Sequence, residues 1–148
     1  MTTPSLYDRD TLLWVEDTVA KLKSGDFANL DLENLIEEVD ALGRSQKKEL
    51  KSRLLVLLEH LLKRLYVNSP QDYRGWEIMI RQQRQQIELE IEDSPSLKTI
   101  WDAAFDRSWQ LALKSVRQDY PQIQFPNRWQ FSPDLEPMLN HRFWQDEE

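Results

Sequence analysis

Residues 54–66 read LLVLLEHLLKRLY, and this stretch decides the fold. Nine of its positions are apolar and four are polar. At about 100° per residue, the apolar side chains fill about half of a helical wheel, and the polar ones take the other half. A membrane span needs about 18 consecutive apolar residues. The stretch therefore predicts a core helix of a small bundle that contacts two or more neighbouring helices.

A glutamate and a histidine lie side by side in this stretch, at Glu59 and His60. Adjacent side chains on a helix point about 100° apart, so these two cannot act together on one group. His60 instead shares its flank with Arg53 and Arg64, whose charges disfavour both a proton and a metal ion on the ring. We expect ordinary hydrogen bonds for His60, and a catalytic role would need a carboxylate from another helix.

The rest of the chain predicts an all-α fold: a small bundle of about five main helices in one domain, residues 1–148. Apolar residues at helical spacing predict helices over 8–23, 31–67, 73–91 and 95–119. Asp31 and Ser94 are predicted N-caps, and Gly25 a C-cap. One helix over 31–67 would be about 55 Å long, so we favour a break near Gly43.

Residues 121–148 are rich in proline and aromatic side chains. They predict an ordered strap against the bundle, with one short helix starting at Ser132-Pro133. Its predicted anchors are Phe125, Trp129, Phe131 and Phe143. Helix 95–119 carries two apolar stripes, which predicts a central position with the strap on one side. Gln83 lies in the middle of an apolar helix face, where a buried amide needs a hydrogen-bond partner from a neighbouring helix.

The charge of the chain is divided into blocks. Residues 1–43 carry −7, residues 44–84 carry +6 and residues 85–148 carry −6. The favoured interpretation is that basic helices pack against acidic neighbours. The alternative is weak nucleic-acid binding through the basic 44–64 segment, which requires one exposed face formed by Lys47, Lys48, Lys51, Arg53 and Arg64.

Composition excludes some chemistry and suggests a compartment. The chain has no cysteine, which excludes disulfides, thiolate catalysis and zinc sites built on cysteine. The N-terminus lacks the basic start and apolar core of a secretory signal, so we expect a cytoplasmic protein. The sequence contains no phosphate-binding loop, dinucleotide-binding glycines, EF-hand loop or zinc-binding H-E-x-x-H motif.

No catalytic constellation is evident, and we expect neither a cofactor nor a bound metal. The acidic side chains Glu33, Glu37 and Glu38 span one helical turn, which is also how solvated helix carboxylates look. If the protein is an enzyme, its site would lie at a helix junction. The weak candidates for such a site are Glu37, Glu38, His60, Gln83, Arg81 and Arg84.

The surplus of apolar stripes and the lack of a catalytic motif together favour a non-enzymatic protein-interaction or regulatory module. Its partner would be another protein or a second copy of the chain. The small-polar-site enzyme and the nucleic-acid binder stay open as alternatives from other classes.

Several segments together resemble a bacterial family, abundant in cyanobacteria, that is catalogued as domain of unknown function number 29. They are LDLENLIEEVDALGRSQKKELKSRL, VLLEHLLKRLY, IRQQRQQIELEIEDSPSL and the FP…SPDLE tail. The resemblance covers nearly the whole chain and implies a small all-α protein. It implies no activity, substrate or catalytic residue. Members often carry a tryptophan after His-Leu-Leu-Lys, where this chain has Arg64.

Overall fold

The computed structural model describes residues 4–144, and this part of the chain is all-α, as predicted. It contains six α-helices and two 3-10 helices, and no strand. The α-helices are α1 (Leu6–Arg9), α2 (Thr11–Ser24), α3 (Leu32–Tyr66), α4 (Pro70–Asp93), α5 (Trp101–Asp119) and α6 (Leu135–Asn140), and the 3-10 helices are Phe27–Asn29 and Pro95–Ile100. None of the helices within residues 4–144 combines the length and apolar content that a membrane crossing requires.

The contacts within the chain divide it into two compact units, with the division after Ser45. We call residues 4–45 the N-terminal unit and residues 46–144 the C-terminal unit, and describe each by itself. The single domain over residues 1–148 stays a prediction.

The N-terminal unit begins with two capped helices where the sequence predicted one. The Ser5 hydroxyl accepts a hydrogen bond from the Asp8 amide at 3.3 Å, and Asp10 Oδ1 accepts one from the Leu13 amide at 3.0 Å. Asp10 therefore ends α1 and caps α2, because its extended backbone (φ −155°) cannot continue a helix. The predicted C-cap is confirmed: Gly25 has φ 76°, in the left-handed region that favours glycine.

The predicted break near Gly43 is wrong, because α3 runs without interruption from Leu32 to Tyr66. A glycine inside a helix costs only about 1 kcal/mol. Arg44 pairs with both Asp40 and Glu37, and its contact with Glu37 measures 3.0 Å. These exposed ion pairs join Arg44 to the two preceding turns of the helix. Asp31 Oδ1 accepts a long hydrogen bond of 3.4 Å from the Asn34 amide, at the predicted N-cap position.

The helix before the EDSPSL segment starts earlier than predicted, at Pro70, which occupies the first turn, where its missing N–H costs nothing. The predicted cap at Ser94 is wrong. Its hydroxyl makes no cap bond and instead donates to Gln46 Oε1 at 3.4 Å. Residues Pro95–Ile100 form a 3-10 helix, and the α-helix begins only at Trp101.

The core of the C-terminal unit lies between α3, α4 and α5. The leucines of the opening stretch are its centre: Leu54, Leu57, Leu58, Leu61 and Leu62 are fully buried. The predicted central position of α5 is confirmed, since both of its stripes contribute buried residues. The buried Ser108 hydroxyl of α5 donates to the Lys51 carbonyl of α3 at 3.0 Å. This hydroxyl therefore keeps a hydrogen-bond partner where α5 contacts α3.

The predicted strap is also confirmed. Trp101 Nε1 donates to the Pro133 carbonyl at 2.8 Å, and Trp109 Nε1 donates to the Asn127 carbonyl at 3.3 Å. Of the predicted anchors, Phe125 and Phe143 are buried, Trp129 is half-buried and Phe131 is exposed. The short helix of this segment begins at Leu135, after Asp134, two residues beyond the predicted Ser132-Pro133 start.

Candidate functional site

An open apolar groove lies between α2 and α3 in the N-terminal unit. Its volume is about 620 Å³. One wall is formed by side chains on one face of α2, and the other by side chains on one face of α3. The lining residues are Trp14, Val15, Thr18, Val19, Leu22, Leu35, Glu38, Val39, Ala41, Leu42 and Ser45.

An aromatic contact and a hydrogen bond position the walls of the groove. The rings of Tyr7 on α1 and Trp14 on α2 meet edge to face, with centroids 4.9 Å apart. The Tyr7 hydroxyl donates a hydrogen bond to the Glu38 carboxylate on α3, and this bond is the first cause of the raised pKa of Tyr7. Tyr7 thus links all three helices of the unit. Thr18, buried beneath the groove, donates to the Trp14 carbonyl at 2.7 Å.

The N-terminal unit exposes more large apolar side chains than the C-terminal unit. Among the residues of the N-terminal unit that the structure describes, ten large apolar side chains are exposed: Leu12, Leu13, Val15, Val19, Leu22, Phe27, Leu32, Ile36, Val39 and Leu42. The C-terminal unit, more than twice as long, has three within its described residues: Leu89, Leu111 and Phe131. Scattered apolar side chains are normal on a protein surface, but five of these ten line the groove together and form one exposed apolar surface of the kind that marks an interaction site: Val15, Val19, Leu22, Val39 and Leu42.

The charged residues of the N-terminal unit are mainly acidic. Residues 4–45 contain ten acidic and four basic side chains, a net charge of −6. Some of these charges are neutralised within the unit: Lys21 pairs with Asp17 at 2.9 Å, and Arg44 pairs with Glu37 and Asp40. The surrounding field is therefore negative even after these pairs are counted.

The two predicted carboxylates of α3 are engaged within the N-terminal unit. Glu37 accepts from Arg44, and Glu38 accepts from Tyr7 and lines the groove. No group of three or more histidine, aspartate or glutamate side chains within residues 4–144 is arranged to hold a metal ion.

His60 has the ordinary environment that its helix face predicts. Its Nδ1 lies 2.7 Å from the Val56 carbonyl of the preceding turn, which makes Nδ1 the protonated nitrogen. Burial lowers the pKa of His60 below its usual value, and the nearby Lys63 adds to this effect. The hydrogen bond with the Val56 carbonyl and the neighbouring Glu59 act in the opposite direction, each with a smaller effect than burial. His60 is therefore mostly neutral near pH 7 and serves as a local hydrogen-bond donor.

The three candidates on α4 have three different environments. Arg81 is exposed. Arg84 donates to the Met138 carbonyl at 2.8 Å and to the His141 carbonyl at 2.6 Å, and its burial lowers its pKa. The predicted hydrogen-bond network of Gln83 is wrong for its oxygen, which is buried without a partner. Gln83 lines a small pocket with Glu49, Ser52, Arg53 and Val56, none of which is among the candidates.

The basic segment is partly used for ion pairs inside the C-terminal unit. Arg53 donates to Glu90 at 2.6 Å and to Glu49 at 2.8 Å. The bond from Arg53 lowers the pKa of Glu49, whereas burial raises the pKa of Glu90. Such a seam is what the packing of basic helices against acidic neighbours predicts.

Arg64 also lies in a paired environment. Its guanidinium stacks over the Tyr73 ring at 3.8 Å, and its Nε is 3.6 Å from the Glu77 carboxylate. Lys47, Lys48 and Lys51 are exposed, but Arg53 and Arg64 are half-buried. The single exposed basic face that the nucleic-acid alternative requires is therefore incomplete.

The apolar groove is the feature that sequence reasoning missed. The sequence predicts helices over 8–23 and 31–67 from apolar residues at helical spacing, and six of those residues line the groove: Val15, Val19, Leu22, Leu35, Val39 and Leu42. A stripe on a helical wheel has the same spacing whether a neighbour covers it or not. The additional signal was that the sequence of residues 1–43 predicts two apolar helix faces and no third helix to cover them.

Comparison with known proteins identifies a family for the chain. No curated protein and no solved structure matches it. One family model does match, over residues 6–144, which includes both units apart from their outermost residues. The chain therefore belongs to the family described as Domain of unknown function DUF29.

Proposed function

We propose that the protein is a non-enzymatic protein-interaction module whose docking surface is the apolar groove between α2 and α3. One observation carries the proposal: the walls of the groove are apolar helix faces that remain exposed, although a helix normally buries its apolar stripe against another element. Val39 and Leu42 on one wall are each 63% exposed, and Val19 and Leu22 on the other are each 42% exposed.

The environments of the six candidate residues give the enzyme alternative less support. That alternative requires at least three candidates within hydrogen-bonding reach in one solvent-open pocket. Of the six candidates, only Glu38 lines the apolar groove, and only Gln83 lines the small pocket formed with Glu49 and Arg53. Arg84 directs its donors to backbone carbonyls of the strap. Neither pocket therefore gathers three of the candidates.

Site-specific photocrosslinking in the cells that make the protein would test this function. A photoreactive residue is placed at Val19 or Val39, on opposite walls, and in a matched control at Leu89, an exposed apolar position of the C-terminal unit. We expect discrete adducts with the same protein from both groove positions and none from Leu89. Identical adducts from all three positions, or none above background, would reject the docking surface.

A further inference from the structure

We propose that the occupant of the groove is an amphipathic helix of a partner protein, with an apolar side and basic flanks. This inference rests on the proposed docking function and specifies its partner. The first argument is shape. The α2 wall extends from Trp14 to Leu22 and the α3 wall from Leu35 to Ser45. At 1.5 Å per residue these walls are about 12 and 15 Å long, which matches two to three turns of a third helix.

The second argument is the chemistry of the walls. Both walls are helix surfaces, and the side-chain ridges of another helix can pack into the grooves of such a surface. A small apolar molecule confined to the groove would leave Leu12, Leu32 and Ile36 in water, since these side chains are exposed and lie outside the groove lining. A helix that extends beyond the groove can cover them as well.

The third argument is charge. The N-terminal unit carries a net charge of −6 over residues 4–45, and the Glu38 carboxylate is part of the groove lining. Lysine and arginine side chains on the flanks of a docked helix would meet this negative field, while their aliphatic stems cover apolar surface. Aspartate or glutamate at the same positions would be repelled.

Charge also argues against a second copy of the chain as the occupant. Two N-terminal units placed face to face would each contribute the same negative charge. The chain does have a basic helical segment, within residues 44–64, but its apolar side is not free to dock. Leu50, Leu54, Leu57 and Leu61 of that segment are fully buried in the core of the C-terminal unit.

Two designed peptides would test the proposal against the full chain. Both are helical, about 18 residues and five turns long, with leucines at i, i+3, i+4 and i+7. One has lysine and arginine on the flanks, and the other has glutamate. By fluorescence anisotropy we expect the basic peptide to bind at least about tenfold more tightly, with a preference that shrinks as salt rises. Val19→Glu and Val39→Glu should each abolish binding, while Leu89→Glu should not.

Several outcomes would overturn the proposal. Equal binding of both peptides would reject the basic flanks, and binding of neither would reject the helical occupant. A reversible dimer in analytical ultracentrifugation that Val39→Glu converts to monomer would assign the groove to a second copy. Circular dichroism checks that each variant is folded. If the groove-specific crosslinks persist while neither peptide binds, the docking function stands and only the basic helix is wrong. If the crosslinks are absent too, both fall.

Discussion

The two units use similar helices in opposite ways. In the C-terminal unit, 21 apolar side chains form one buried cluster. In the N-terminal unit, among residues 4–45, Trp14 is the one large apolar side chain that is buried, and ten others are exposed. Both patterns occur on α3, where Leu32, Ile36, Val39 and Leu42 are exposed and six leucines from Leu50 to Leu62 are fully buried. The same helical stripe therefore serves as core in one unit and as exposed surface in the other.

Two leucines on α3 provide the strongest test of this comparison. Leu61 is fully buried, whereas Leu42 is 63% exposed. Leu61→Ala should lower the free energy of unfolding by about 2–5 kcal/mol, because it removes buried methyl groups and leaves a cavity. Leu42→Ala should change it by less than about 0.5 kcal/mol. Urea unfolding of both variants checks this, and equal losses would contradict the division into core and exposed surface.

The strap should depend on Arg84. Arg84→Ala removes two charged hydrogen bonds to the Met138 and His141 carbonyls. We expect a loss of about 1.5–3 kcal/mol in the free energy of unfolding, with faster proteolysis within residues 120–144. Arg81→Ala, at an exposed position on the same helix, is the matched control and should be close to neutral. An equal loss from both variants would mean that the strap does not depend on the hydrogen bonds from Arg84.

The two glycines of the N-terminal unit should respond with opposite signs. A Cβ added at Gly25 or at Gly43 would meet no atom within 4 Å. Gly25 has φ 76°, so Gly25→Ala should cost about 1 kcal/mol through backbone strain. Gly43→Ala should stabilise the protein by about 0.5–1 kcal/mol, because it lies inside a continuous helix. Thermal unfolding measures both, and destabilisation by Gly43→Ala would argue for a functional bend.

The smallest expected effect concerns His60 and pH. Burial lowers the folded-state pKa of His60 below its ordinary 6.5, so the unfolded chain binds this proton more readily. His60 should therefore contribute a loss of stability as the pH falls from about 6.5 toward the lower folded-state pKa. His60→Gln should remove that contribution. Urea midpoints at pH 7.5 and pH 5 for both proteins isolate it, and an identical pH dependence would show that His60 is not involved.

Much of the C-terminal unit could be predicted from the sequence. The leucine arc of residues 54–66 predicted a two-sided core helix, and the aromatic residues after Asp119 predicted the strap. Local signals performed less well. Gly43 and Ser94 looked like a break and a cap, but α3 continues through Gly43, and the Ser94 hydroxyl donates to Gln46. Such competition between partners depends on the folded geometry.

The candidate site was harder to predict, for a physical reason. Catalytic motifs have characteristic residue types at characteristic spacings, whereas a docking groove has only apolar residues in the pattern of any amphipathic helix. Whether Val19 or Val39 is covered depends on how many helices the unit contains. The stripes could be recognised from the sequence, but their exposure could not.

The hydrogen bonds from Arg84 to the strap also have a consequence for the order in which parts of the protein fold during synthesis. The carbonyls that Arg84 binds lie 54 and 57 residues further along the chain, and the carbonyl that receives the Trp101 indole lies 32 residues further. These contacts form only after α5 and the segment behind it have left the ribosome. Until then, the apolar side of α5 that the strap covers is open on the nascent chain, which makes closure of the strap a late, non-local step of folding.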